Sequence, residues 1–232
     1  PRILIWDIES APTLAYCWGR FKQFISQDQV VSEGYLLSVA WKWLGETETH
    51  CVMNSLSAVA QEDDREVVET IHRLLEEADV IVAHNLPFDE KLSKARMVFW
   101  GMKPPASYRR IDTLAIAKKQ FRFPSNKLDS LGEYLKLGRK TEHSGFSLWT
   151  GVMRGDEDSR QTMVEYNIRD VDLLEDVYLR LRHWDNTLPN LAQYYDDSHI
   201  RCPACGSVEV TSTDKHTYTA LAKFTEVVCT EC

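Results

Sequence analysis

Four acidic residues and one tyrosine stand at spacings that suit a shared metal site. Asp7 and Glu9 lie in ILIWDIES, Asp89 lies in VAHNLPFDEKL, and Tyr166 and Asp170 lie in EYNIRDVDLL. A strand places both side chains of Asp-x-Glu on one face, and residues i and i+4 of a helix are neighbours. Such groups repel one another unless cations lie between them. The pattern therefore predicts a two-metal site that cleaves phosphodiesters.

The oxygen ligands favour Mg²⁺ or Mn²⁺, which prefer hard donors. Two such ions, ~3.5–4 Å apart, can activate a water, align its attack and relieve charge on the leaving oxygen. We expect Asp7 to bridge both ions, and Glu9 and Asp170 to complete the site of the ion that activates water. Asp89 is expected to support the second ion, and the Tyr166 hydroxyl to orient the water. Taken singly, each piece is more often structural; their order and spacing together favour the site.

The elements that must position these residues alternate along the chain. Strands are predicted at RILIWDIE, YLLSVAWKWL, THCVMN, VIVAH and the start of RRIDTLAIAKKQ. Helices are predicted over residues 65–78, 89–99 and 158–182, in the rest of RRIDTLAIAKKQ, and in KLDSLGEYLKLG. Residues 10–31 and 141–156 are expected to be irregular, the second as a loop near the site. This order predicts an α/β fold, a mixed sheet flanked by helices with its site at strand ends.

Composition sets wider limits. A chain of 232 residues suits one medium domain and a small one. A net charge of −8 argues weakly against a nucleic-acid partner, although two divalent ions would offset the clustered acids. The chain starts without methionine, which indicates a processed or trimmed chain. No membrane span or signal peptide is seen, which favours the cytoplasm of a bacterial cell or a phage-infected host.

The three motifs together resemble those of DnaQ-like 3′–5′ exonucleases of the RNase H-like superfamily. WDIES is similar to the first motif, HNLPFD to the second and YNIRD to the third. Tyr166 stands where the DEDDh subgroup has histidine, which resembles the DEDDy subgroup. Over residues 1–184 the chain looks like family-B DNA polymerase proofreading domains and phage stand-alone enzymes. The resemblance implies an RNase H-like fold, hydrolysis from the 3′ end and dependence on two metal ions.

The resemblance also implies how a 3′ end is held. The backbone near Ile8 would contact the terminal nucleotide, and Asn85 and Phe88 would lie close to the terminal residues. The aromatic residues of segment 16–24 would supply either base-stacking surfaces, worth about 1–3 kcal/mol per base, or core packing. Two nearby histidines are not predicted to be catalytic: His84 is expected to be structural, and His143 lies in the loop before the third motif.

Four cysteines near the end of the chain have the spacing of a zinc ribbon. CPAC contributes Cys202 and Cys205, and CTEC contributes Cys229 and Cys232. Two such pairs predict tetrahedral coordination of one Zn²⁺ at ~2.3 Å, and the metal would supply the folding energy of so small a unit. We expect the natural chain to continue past the last cysteine. The ribbon is expected to bind substrate, to bind replication or recombination proteins, or to brace the domain.

The predicted organisation is an RNase H-like exonuclease domain over residues 1–185, a linker over 186–200 and a zinc ribbon over 201–232. The leading hypothesis is a metal-dependent 3′–5′ exonuclease that hydrolyses single-stranded DNA to nucleoside monophosphates. An RNA-processing exonuclease of the same fold is the second hypothesis. A third, from another class, is an accessory module that binds nucleic acid or a replication complex through the ribbon.

Overall fold

The computed structural model describes residues 1–138, 145–185 and 187–232, so His143 and the start of the predicted 141–156 loop lie outside the described residues. A five-stranded mixed sheet forms the centre of the molecule. Its strands are β1 (Ile3–Ser10), β4 (Leu36–Trp43), β5 (His50–Met53), β6 (Val80–Ala83) and β7 (Arg109–Asp112). They lie in the order β5-β4-β1-β6-β7, in which β1 pairs antiparallel with β4 and parallel with β6. The mixed α/β sheet predicted from the sequence is confirmed.

Helices cover both faces of this sheet. The longest described helix, α7, spans 25 residues. The helices are α1 (Leu56–Ala60), α2 (Arg65–Glu77), α3 (Leu86–Phe99), α4 (Thr113–Gln120), α5 (Leu128–Leu135), α6 (Ser147–Met153) and α7 (Glu157–Leu181). Among the described residues, none of these helices combines the length and apolar character that a membrane crossing requires.

Alternation along β1 assigns its side chains to two separate cores. Ile3 and Ile5 pack with α4, α5 and α7 on one face of the sheet. Leu4, Trp6 and Ile8 pack with α2 and α3 on the other face. Because strand side chains alternate, the next odd-numbered residues of β1 point towards α7. The apolar pattern of β1 thus fixes the direction in which its acids point.

The helix that carries Asp89 begins earlier than the sequence-based prediction places it. The helix predicted to begin at Asp89 begins at Leu86, after Asn85 adopts a left-handed backbone with φ of 71°. Pro87 lies in the first turn, where its missing N–H costs nothing. Asp89 is therefore fixed in a helical turn and does not start it.

The prediction of an irregular segment over residues 141–156 is wrong for most of its described part. α6 occupies Ser147–Met153, with Leu148 and Val152 buried one turn apart in a small core with α7. Gly145 and Gly151 obscure this pattern in the sequence, because glycine is a poor helix former. The segment expected to be a loop therefore contains a short packed helix.

The remaining strands lie outside the central sheet. β2 (Leu14–Ala15) and β3 (Val30–Ser32) form a small ladder after β1. β8 (Val210–Tyr218) and β9 (Lys223–Cys229) form an antiparallel hairpin near the end of the chain. Between α7 and the hairpin, a 3-10 turn at Leu191–Tyr194 buries Leu191 against the core of the sheet. The domain boundaries at residues 185 and 200 stay predictions.

Candidate active site

The sheet and α7 bring three of the predicted acids together. Carboxylate oxygens of Asp7, Glu9 and Asp170 all lie within 4.8 Å of one another. Asp7 and Glu9 continue the alternation that points Ile3 and Ile5 towards α7, and Asp170 is buried on the facing side of that helix. Three carboxylates at this separation repel strongly where water is excluded. The cluster is thus a donor set that suits hard divalent cations.

Asn167 is a site residue that the sequence analysis missed. Its side-chain amide donates to Asp7 Oδ2 at 2.8 Å, and its carbonyl oxygen accepts from the Ser38 hydroxyl at 2.9 Å. Both Ser38 and Asn167 are fully buried. Asn167 lies one residue after Tyr166 in the third motif, so its signal in the sequence was an amide next to the predicted site. The contact fixes the orientation of the Asp7 carboxylate.

Asp89 is not among the three clustered carboxylates and contacts β1 beside them. Its side chain is only 3% exposed, and Asp89 Oδ1 accepts from the backbone N–H of Ile8 at 3.4 Å. This bond places Asp89 beside the β1 segment that carries Asp7 and Glu9. Burial raises the pKa of Asp89 to about 7, against the lowering effect of backbone hydrogen bonds, and Asp112 adds a further raise. A nearby cation would offset this cost of ionisation.

Tyr166 lies one helical turn before Asp170 on the same side of α7. It is 7% exposed, and its ring meets the Trp149 ring edge to face, with centroids 6.1 Å apart. The Trp149 indole N–H donates to Glu9 Oε2 at 3.1 Å. Trp149 was also missed, because it lies in the segment predicted to be a loop. Trp149 packs against Tyr166 and hydrogen-bonds Glu9, so α6 stabilises the acidic cluster.

An open cleft of about 660 Å³ runs beside Tyr166. Two exposed lysines, Lys118 and Lys127, lie on its wall, where they would attract an anionic chain. His84 hydrogen-bonds Thr113 and the backbone of Asn126, and its structural role stays a prediction. The described lining consists of His84, Leu114, Lys118, Asn126, Lys127, Leu128, Asp129 and Tyr166.

The residues predicted to contact substrate differ in exposure. Phe88 is 52% exposed in the first turn of α3, one residue before Asp89, so its ring is accessible. Asn85 is exposed, and its backbone N–H donates to Asp112 Oδ1 at 2.9 Å. The Ile8 side chain is buried in the core, which leaves only its backbone near the site. Their roles in binding stay predictions.

The four cysteines converge as a second, separate metal-binding group. All four sulfurs lie within 4.8 Å of one another. Cys202 and Cys232 are 3.6 Å apart and Cys205 and Cys229 are 3.7 Å apart, sulfur to sulfur. A tetrahedron with Zn–S bonds of ~2.3 Å has edges of about 3.8 Å, and a disulfide would bring sulfurs far closer. The cluster is compatible with a zinc ribbon.

Comparison with known proteins supports a nuclease. A family model described as RNase_T, Exonuclease, matches residues 54–147. The matched stretch contains Asp89 and α3, whereas β1 and α7 lie outside it. No curated protein matches the chain. The match supports an exonuclease domain of the DnaQ-like, RNase H-like type, which implies a metal-dependent nuclease with a nucleic-acid substrate.

Proposed function

We propose that this protein is a two-metal 3′–5′ exonuclease that removes nucleoside monophosphates from single-stranded DNA. The observation that carries the proposal is the cluster of Asp7, Glu9 and Asp170, with Tyr166 one turn before Asp170 on the same helix. Support for an exonuclease domain comes independently from the family match over residues 54–147. The direction and the tyrosine subgroup rest on the resemblance of the three motifs.

The four acids would hold two Mg²⁺ or Mn²⁺ ions. Bound there, the ions would neutralise the carboxylates, acidify a water and relieve charge on the leaving oxygen. Asn167 fixes Asp7 through a bond of 2.8 Å, so this carboxylate keeps one orientation during turnover. Trp149 does the same for Glu9 through its indole N–H. These contacts pre-arrange the site, so little reorganisation is needed when substrate arrives.

Tyr166 would act on the water and not on the metal. Its hydroxyl would hold the attacking water in line, while the buried ring keeps bulk water away from this side of the acids. The proton lost by the attacking water would pass to solvent through the open cleft beside Tyr166, so the hydroxyl would orient the water without taking its proton. The exposed ring of Phe88 is available to stack on a terminal base.

A time course on single-stranded DNA labelled at its 5′ end tests the proposal. With Mg²⁺ or Mn²⁺ present, we expect a ladder of products that shorten one nucleotide at a time, and free nucleoside monophosphates. One internal cut would indicate an endonuclease, and release of the labelled nucleotide first would indicate the opposite direction. Either result, or no hydrolysis with both metals, would overturn the proposal.

A matched RNA substrate tests the choice of DNA. The 2′-hydroxyl is the group by which a protein distinguishes the two at one position. We expect the DNA strand to be shortened faster than an RNA of the same sequence. Faster shortening of RNA would support the exonuclease activity but overturn the choice of DNA, and would favour a role in RNA processing.

A further inference from the structure

The segment between β2 and β3 presents four aromatic rings to solvent. Tyr16, Trp18, Phe21 and Phe24 are 76%, 99%, 84% and 90% exposed. Residues 16–25 are called the aromatic loop here. The alternative that these rings pack in the core is therefore wrong. A group of large exposed apolar side chains in a folded protein marks an interaction surface.

Both ends of the aromatic loop are held by one side chain. Gln29 Nε2 donates to the backbone oxygen of Tyr16 at 2.9 Å, and Gln29 Oε1 accepts from the backbone N–H of Ser26 at 3.1 Å. The Tyr16 N–H donates in turn to the Gln29 backbone oxygen at 2.9 Å. The loop is closed at its base, so the rings stay in one region of the surface when they are not bound to a partner.

The aromatic loop begins close to the acidic cluster. A cavity of about 340 Å³ is lined by Ser10, Pro12, Gly145, Phe146 and Trp149, and Trp149 donates to Glu9. Phe146 is 66% exposed and adds another accessible ring. Tyr16 follows Pro12 by four residues, which places it within about 14 Å of this cavity. The start of the loop is therefore within reach of a strand whose end lies at the acids.

The charge of the aromatic loop fits an anionic partner. The loop YCWGRFKQFI contains two charged residues, Arg20 and Lys22, both basic and exposed, in a chain with net charge −8. Tyr16 and Trp18, together with Cys17, Asp28 and Gln29, also line a cleft of about 390 Å³. Alternating rings and cations suit a chain of unpaired bases and phosphates better than they suit a purely apolar partner.

We propose that the aromatic loop binds the single-stranded part of the substrate upstream of the 3′ end. Unpaired bases stack on Trp18, Phe21 and Phe24, and phosphates contact Arg20 and Lys22. This inference rests on the proposed function and deepens it, because it assigns a preference for strands several nucleotides long. Duplex DNA offers no free base faces to the loop, so single strands are the substrate class.

Fluorescence anisotropy and kinetics on two oligothymidylates, one of about 20 nucleotides and one of about 3, test the inference. Binding is measured with Ca²⁺, which has the same ligand preference as Mg²⁺. Trp18→Ala should weaken binding of the long strand about 5- to 100-fold and raise its KM similarly, with unchanged hydrolysis of the short one. Trp18→Tyr should restore most of the binding, whereas Trp18→Leu should not, because leucine has no π face.

A matched control and a salt titration complete the test. Phe99→Ala removes a ring that is 64% exposed at the far end of α3, about 15 Å along the helix from Asp89, and should leave binding unchanged. Arg20→Ala with Lys22→Ala should lower the slope of log K against log salt by about 1.4.

Four results would decide the matter. Equal binding of the long strand by wild type and Trp18→Ala, with hydrolysis intact, overturns the inference alone. If Trp18→Ala loses strand binding but the wild-type protein does not hydrolyse DNA, the inference about the loop is supported and the proposed function is overturned. An equal loss with Trp18→Ala and Phe99→Ala overturns the inference as well. So does a dimer in light scattering that Trp18→Ala dissociates with no change in strand binding, since the loop would then join two copies.

Discussion

The carboxylate cluster and the cysteine cluster gather metal ligands in opposite ways. Asp7, Glu9 and Asp170 come from the centre of the sheet and from a helix whose inner face is buried along its length. The cysteines bracket the β8–β9 hairpin, most of whose residues are exposed. Tyr218, Leu221 and Phe224 of this hairpin are all more than half exposed. One cluster is held by a core, and the other has almost no apolar packing to hold it.

This difference predicts that a metal ion would serve catalysis at the carboxylate cluster and folding at the cysteine cluster. Packing of β1 against α7 keeps the carboxylates together, at a cost in repulsion that a cation would relieve. The hairpin lacks such a core, so the sulfur–metal bonds would supply its folding energy. Metal removal should therefore stop chemistry at the first cluster and unfold the chain at the second.

The largest expected effect is the loss of folding when the cysteine cluster loses its metal. We propose that its four sulfurs hold Zn²⁺, and structural zinc in such small units contributes about 10–16 kcal/mol of folding free energy. Chelation, or Cys205→Ser, should unfold the β8–β9 hairpin and leave the thermal transition of the sheet in place. Amide exchange resolved along the chain measures both regions at once. Cys17→Ser, at an exposed cysteine outside the cluster, is the matched control.

A hairpin that stays protected from amide exchange after chelation would contradict the prediction that metal binding folds it. So would a stoichiometry of zero zinc per chain in the purified protein by elemental analysis. In either case the sulfur separations of 3.6 and 3.7 Å would belong to four free thiols and not to a metal site.

The next largest effect is the loss of hydrolysis without loss of fold. Asp170→Asn keeps the shape of the side chain and removes one ligand charge, so activity should fall by roughly 10³-fold or more, which is about 4 kcal/mol. The thermal midpoint should stay the same or rise, because repulsion with Asp7 and Glu9 is relieved. Asp176→Asn changes an exposed acid on the same helix and should do neither. Full activity of Asp170→Asn would refute the site.

The main helices and strands could be predicted from the sequence because their patterns are local. The side chains of Ile3 and Ile5 point to one face of the sheet and those of Leu4 and Trp6 to the other, as in any strand with two buried faces. The same alternation fixes where Asp7 points. Ligand spacing within each motif is equally local. The approach of Asp170 to Asp7 was expected from the order of the motifs and their resemblance to a known family, and not from local patterns.

Contacts between distant segments could not be predicted in the same way. The bond from Asn167 to Asp7 joins residues 160 positions apart, and nothing in the motif distinguishes an amide that faces the sheet from one that faces a neighbouring helix. α6 was hidden by Gly151 within it and Gly145 before it, and so was the contact of Trp149 with Glu9. The exposure of Trp18 likewise depends on what the rest of the chain leaves uncovered.

Asn167 tests how firmly the core holds the carboxylates. Asn167→Ala removes the bond to Asp7, and loss of a group that orients a metal ligand typically costs 10–100-fold in metal affinity or activity. We expect the concentration of Mn²⁺ for half-maximal activity to rise about tenfold or more. Asn167→Asp should be worse, since it sets a carboxylate against Asp7. Ser38→Ala, which removes only the support of Asn167, should cost less than either.

Tyr166→Phe is expected to have the smallest effect of these substitutions, because it removes a single oxygen atom. The phenyl ring keeps the edge-to-face contact with Trp149 and its buried position, so neither stability nor metal affinity should change. Only the hydroxyl that would orient the water is lost. One hydrogen bond to a reacting group is worth about 1.5 kcal/mol, so kcat should fall roughly tenfold with KM unchanged. A fall as large as that of Asp170→Asn would mean that Tyr166 takes part in the chemistry itself. No change in kcat would mean that the ring, and not the hydroxyl, is what the site requires. In that case Tyr166 belongs with Trp149 and Asn167 among the groups that hold the acids, and the attacking water is oriented by the carboxylates alone.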